Sequence, residues 1–219
     1  THLGNELHES ATMDHDAVVK RAKFIDDSVG VRTMFSWASP PEILKALKTY
    51  CSSFYGCMLW DLAGEKAAQV YNSWNTAVKF SWNCPRQTKT FLVQQVLCND
   101  MFSARTDILA RYVSFFRSLR TSSNLEIRVL ANLTSRDHQS TTGKNLRAVQ
   151  RASGLDPWQA TPAKMKSALH SMEMVEVHPQ DSWRSEYLCT LLRQHQEAVF
   201  MGMEESQEEI QDLIDSLVV

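Results

Sequence analysis

Apolar residues recur along most of this chain at three- and four-residue steps, the spacing of one buried helix face. Residues 14–37 place Ala17, Val18, Ala22, Ile25 and Val29 near one stripe, with Gly30 weakening the helix. Ser39-Pro-Pro-Glu42 reads as a capping box with proline in the first turn. Ile43, Leu44, Leu47, Tyr50, Cys51 and Phe54 follow as one predicted buried face, and Gly64 breaks the run. Tyr71, Trp74, Val78 and Trp82 form the next stripe, which Cys84-Pro85 ends. Pro85 also suits the first turn of a helix through Phe91, Leu92 and Val96.

Downstream, Ser103 is placed to cap a helix carrying Ile108, Leu109, Tyr112, Val113, Phe116 and Leu119. Ser123-Asn-Leu-Glu126 reads as a second capping box. Thr141 or Thr142 starts a short basic helix that Gly154 ends in the left-handed conformation. Thr161-Pro162 opens another, and Asp181 a longer one through Tyr187, Leu188, Leu191, Leu192 and Val199. Ser206-Gln-Glu-Glu209 is a third capping box, before Ile210, Leu213, Ile214, Leu217 and Val218. Strand signals are thin: residues 3–8 alternate weakly, and 174–177 is a short apolar run. The pattern predicts an all-α fold, a bundle of about eight to ten helices with short loops and at most one small β turn or hairpin at the N-terminus. Phe35-Ser36-Trp37-x-x-Pro40 is echoed by Phe80-Ser81-Trp82-x-x-Pro85, which reads as two helix ends, each before a Pro-started helix.

Composition agrees. Of 219 residues, 43% are hydrophobic and 22% charged, which fits a soluble globular chain and excludes a disordered polyampholyte. Seven glycines leave little for a sandwich of hairpins. Every long apolar stretch is interrupted by charge, so no membrane span and no membrane partner is expected. The first residues lack the basic and apolar regions of a signal peptide, and the chain begins at Thr1, so a fragment or processed piece is expected. Cys51, Cys57, Cys84, Cys98 and Cys189 are odd in number and widely spaced, which predicts free thiols and an intracellular, reducing location.

The charge is unevenly spread. Residues 1–40 carry a net −2, 41–100 a net +2, 101–170 a net +7 and 171–219 a net −9. A basic block before an acidic one suits a chain that meets nucleic acid, although two neutralising solvated faces would have the same composition. Within the basic block, Arg105, Arg111, Arg117 and Arg120 share one predicted helix, with Arg111 and Arg117 off its apolar stripe. Lys144, Arg147 and Arg151 share one face of the short helix that follows. These seven are the candidate nucleic-acid-binding residues. Trp74 and Trp82 lie on an apolar stripe and are expected in the core.

Familiar catalytic patterns are absent: there is no Gly-rich phosphate loop, Gly-x-Ser-x-Gly or His-Glu-x-x-His. His8, Asp14, His15 and Asp16 read as a solvated helix start with its favourable acids, not a metal site. Glu204, Glu205, Glu208 and Glu209 read likewise, and Arg136-Asp137-His138 lacks the companions of a kinase loop. No catalytic residue, metal ligand or cofactor is expected.

His2-Leu3-Gly4-Asn5-Glu6-Leu7 resembles the Tyr-Leu-Gly turn that follows the palm in reverse transcriptases of non-LTR (LINE-type) retrotransposons. In the order of that family come a helix of about twenty residues, the Ser39-Pro40 start, and Phe54-Tyr55-Gly56-Cys57-Met58-Leu59-Trp60, similar to the Leu-Tyr-Gly-x-x-x-Trp signature of its thumb. Cys84-Pro85-Arg86-Gln87-Thr88 resembles the Pro-Arg-x-Thr segment after it. The resemblance covers about residues 3–97, with a weaker likeness to the C-terminal extension of some animal elements beyond. It implies a thumb-like helical domain over 1–100, a basic helical extension over 101–170 and acidic C-terminal helices over 171–219. It further implies a primer-proximal turn at Leu3 and Gly4. The partners implied are an RNA template, the backbone of an RNA–DNA or DNA duplex, and the upstream palm. The palm's paired aspartates and their Mg2+ ions are not in this chain, since Ile25-Asp26-Asp27 falls in a helix, so the chain alone is expected to be no enzyme. The alternative is a free-standing helical interaction module, or a repurposed remnant with no nucleic-acid role.

Overall fold

The computed structural model describes residues 14–82 and 103–175, with Cys84, Thr88, Gln194, Met201 and residues 209–213. Among the described residues the chain is all-α. Its helices are α1 (Asp14–Met34), α2 (Pro40–Ala46), α3 (Glu65–Ser81), α4 (Ala104–Arg120), α5 (Leu125–Arg136), α6 (Thr141–Ser153) and α7 (Pro162–Val175). A π-helical turn at Leu47–Cys51 and a 3-10 turn at Cys57–Leu59 lie between α2 and α3. The Leu3-Gly4 turn and the predicted helices after Pro85, Asp181 and Ser206 lie outside the described residues, except that Gln194 and residues 209–213 are helical and Thr88 is not.

Local chemistry sets the helix ends. At α2, Ser39 donates from both its backbone N–H and its hydroxyl to Glu42 Oε2, each at 2.8 Å, with Pro40 and Pro41 in the first turn. These two bonds hold the Glu42 carboxyl below its usual range. Ser103 Oγ accepts from the Thr106 amide at 3.3 Å to start α4. The box expected at Ser123 is shifted by one residue. Asn124 is the cap, its Oδ1 accepting from the amides of Glu126 at 2.8 Å and Ile127 at 3.4 Å, because the amide oxygen reaches the first turn directly. Ser140 caps α6, and Gly154 ends it at φ 68°, as its sequence position predicts. The apolar run at 174–177 is no strand as far as it is described, since α7 continues to Val175.

The chain divides into two compact units, the boundary passing through α1, α3 and α7. One is drawn from Thr1–Phe24, Ser53–Ser73 and Phe102–Met172, the other from Ile25–Ser52, Trp74–Met101 and Glu173–Val219. In the first, α4 packs against α5, α6 and the 3-10 turn, and α5 against α6. Phe24, Phe54, Trp60, Ile108, Phe116 and Val149 are its large buried side chains. In the second, Ile43, Leu44, Leu47 and Cys51 line the buried side of α2 and the π turn, while Trp74, Val78 and Trp82 are buried from α3. Arg32 lies over the Phe80 ring at 5.2 Å.

Two periodic readings are corrected. On α1 the buried positions are Asp16, Ala17, Phe24, Ser28 and Val31, whereas Val18, Ala22, Ile25 and Val29 are exposed. The stripe is rotated because Phe24, the largest apolar side chain of α1, seeks the interior and carries its face with it. Tyr50 is 68% exposed, because the chain widens into the π turn at Leu47 and takes this side chain off the α2 face.

Candidate nucleic-acid interface

The segment that resembles a thumb signature folds into a fixed corner. Gly56 adopts φ 84°, a conformation that a Cβ disfavours, and releases the chain into the 3-10 turn. Trp60 then enters the core, where its Nε1–H donates to Asp16 Oδ2 at 2.7 Å. The Phe54 ring meets the Trp60 ring edge-on at 6.3 Å and the Phe24 ring at 5.8 Å. Asn145 on α6 closes the corner from 85 residues away. Its Nδ2 donates to the Trp60 carbonyl at 2.8 Å, and its Oδ1 accepts from the Leu62 amide at 2.8 Å. Asn145 therefore serves the loop as a neighbouring strand would, satisfying one carbonyl and one amide that burial has stripped of water. Beside it, burial pushes the Cys57 thiol up to about 12.

Asp16 corrects the solvated reading given to the start of α1. It has no exposed surface, and the indole N–H supplies a partner that its sequence neighbours could not reveal. Asn145 was equally hidden, lying between Lys144 and Leu146 on a helix read for its charge.

The seven candidate cations occupy different settings. Arg105, Arg111, Arg117, Lys144 and Arg151 are exposed. Arg111 Nε pairs with Asp107 at 2.6 Å, one helical turn back. Arg111 and Arg117 border the solvent side of α4, with Ser114 and Ser118 between them. Arg105 instead shares the side of Leu109, Tyr112 and Phe116 and is exposed at the helix start. Arg120 is engaged within the fold: it donates to the Trp158 carbonyl at 3.2 Å and lies over the Trp158 ring at 4.3 Å. The guanidinium of Arg147 binds the ring and the carbonyl of His138. Lys144 and Arg151 lie seven residues apart on α6, opposite the buried Leu146, Val149 and Ser153. Lys166 and Arg111 flank an open groove of about 610 Å3 between α4 and the start of α7, whose floor includes Ala110, Phe115 and Met58.

Among the described residues no group of three or more His, Cys, Asp or Glu side chains could hold a metal ion, and no helix is long and apolar enough to cross a membrane. Compared with known protein families, with curated proteins and with solved structures, the chain finds no match.

Proposed function

We propose that this chain is the duplex-gripping thumb, with its C-terminal extension, of an RNA-directed DNA polymerase of the non-LTR retrotransposon type. The observation that carries the reading is the exposure of Arg111, Arg117, Lys144 and Arg151 on helix sides opposite core, with Arg105 exposed at the start of α4. Cations held on packed helices meet phosphates at fixed spacing, and such contacts grip a duplex without reading its sequence. A polymerase needs that property in a part past which the product must slide. The ordered phrases from Ser39-Pro40 through Trp60 to Pro85-Arg86 point to the same family. In this reading the RNA template, the hybrid duplex and the upstream palm are the partners. The palm holds the catalytic metal ions, and this chain alone extends no primer.

The test is the salt dependence of binding to a short RNA–DNA duplex, followed by fluorescence anisotropy. If about four of the five exposed cations meet phosphates, the log–log slope is near −3 to −4. Replacing Lys144 and Arg151 together by Ala should reduce its magnitude by nearly 2. An unchanged affinity and slope in that double variant would defeat the reading and leave the helical interaction module as the better account.

A further inference from the structure

Helix α5 has an unusual balance of sides. Only Ala131 and Ser135 of its 12 residues are buried. Leu125, Val129, Leu130 and Leu133 are 63%, 46%, 61% and 63% exposed. Surface leucines scattered singly need no explanation, but Val129, Leu130 and Leu133 are contiguous on one side of a helix at three- and four-residue steps. Glu126 stands at one end of this stripe and Arg136 at the other, both exposed. Positions 126, 129, 133 and 136 thus follow the a/d spacing of a two-helix seam, with an acid at its start and a base at its end.

We propose that this face binds a second copy of the chain, α5 against α5, antiparallel about a two-fold axis. With the axis beside position 131, Glu126 faces Arg136 of the second copy and Val129 faces Leu133. The two-fold then repeats both contacts, which is what an isologous interface requires. The charges select this direction. A parallel pair would set Glu126 against Glu126 and Arg136 against Arg136, each a like-charge contact. They also argue against a lipid surface as occupant, because Glu126 at the edge of the stripe would meet anionic headgroups. A seam of about three turns lies at the small end of specific interfaces, so association is expected to be weak and visible only in a concentration series.

The test is sedimentation equilibrium of the full chain from about 1 μM to 1 mM, where a weak pair of this size would separate. The parent should move from monomer towards dimer over this range. Leu133→Glu should weaken association at least tenfold, since it sets a charge in an apolar seam. That position is exposed in the monomer, so far-ultraviolet circular dichroism of the variant should match the parent. Glu126→Arg and Arg136→Glu should each weaken the dimer, and the two together should restore it. A monomeric parent throughout the range would overturn the proposal, as would a dimer indifferent to Leu133→Glu. Failure of the double charge reversal to restore association would overturn it too. None of these results bears on the salt slope of duplex binding, so this inference and the proposed function can fail separately.

Discussion

Asn145 offers the sharpest test of how the corner at Trp60 is held. Its side chain is 1% exposed, and so is Trp60, while Leu62 is 5% exposed. Replacing Asn145 by Ala removes one donor and one acceptor and leaves the Trp60 carbonyl and the Leu62 amide buried without their partner. Each orphaned group costs about 1–3 kcal/mol, so the variant should lose about 2–6 kcal/mol. Against a total of about 5–15 kcal/mol, that is a large share of the stability. For a chain of this length it corresponds to a fall in Tm of roughly 4–24 °C. Urea unfolding followed by tryptophan fluorescence and by circular dichroism measures it, and coincidence of the two probes shows whether a single free energy applies. Asn145→Asp refines the argument. It keeps the acceptor for Leu62, loses the donor to Trp60, and buries a carboxylate whose charged form the site disfavours. The folded-state pKa of that carboxyl would lie above its unfolded value, so its penalty should shrink as pH falls from 7 towards 4. A loss below about 1 kcal/mol in Asn145→Ala would mean that water or a shift of the loop replaces both bonds, and the claim that Asn145 fixes the corner would be refuted.

Trp74→Ala should cost about 3–5 kcal/mol by the same urea assay, because Trp74 is 3% exposed; a parent-like curve would place it at the surface. Gly143→Ala should unfold α6 at its start, since a Cβ there would lie 2.1 Å from the Asp137 carbonyl oxygen and backbone must move; unchanged thermal stability would contradict the close approach. The Cys57 thiol, pushed up to about 12 by burial, is almost wholly protonated at pH 8. Peptide mass mapping after brief alkylation should therefore find it unlabelled in the folded protein and labelled in urea, and rapid labelling of the folded protein would show an open corner.

What the sequence reveals and what it hides divide along physical lines. The all-α class, the start of α2 at Pro40 and the end of α6 at Gly154 were legible, because caps and breakers act over a few residues. The burial of Trp74 and Trp82 followed from a stripe of large apolar side chains. The phase of α1 was not legible. Val18, Ala22, Ile25 and Val29 repeat at helical spacing as well as Ala17, Phe24 and Val31 do, and only the packing of Phe24 chooses between them. The settings of Asp16, Asn145 and Arg120 are hidden from the sequence for a different reason. Each is polar or charged by composition, yet each is matched to a group far along the chain: an indole 44 residues away, a peptide unit 85 away, and the Trp158 carbonyl and ring 38 away. Composition assigns such residues to solvent, and only tertiary structure supplies the partner.

The corner bears on the proposed grip through one further step. Lys144 precedes Asn145 on α6, and Arg151 follows two turns later on the same helix. The two bonds from Asn145 and the Ser140 cap fix the start of α6, and Leu146 and Val149 fix its buried side. Cations on a helix so anchored lose little freedom when they meet a duplex, so the entropic cost of binding falls on their side chains alone. A flexible basic segment of equal charge would have to order its backbone as well. Loosening the corner should therefore weaken duplex binding without removing any charge. Asn145→Ala, assayed below its melting temperature, should raise the duplex Kd while leaving the salt slope unchanged, because the same phosphates are still neutralised. A change of slope in that variant would mean that cations were lost from the interface, and the separation of rigidity from charge argued here would not hold.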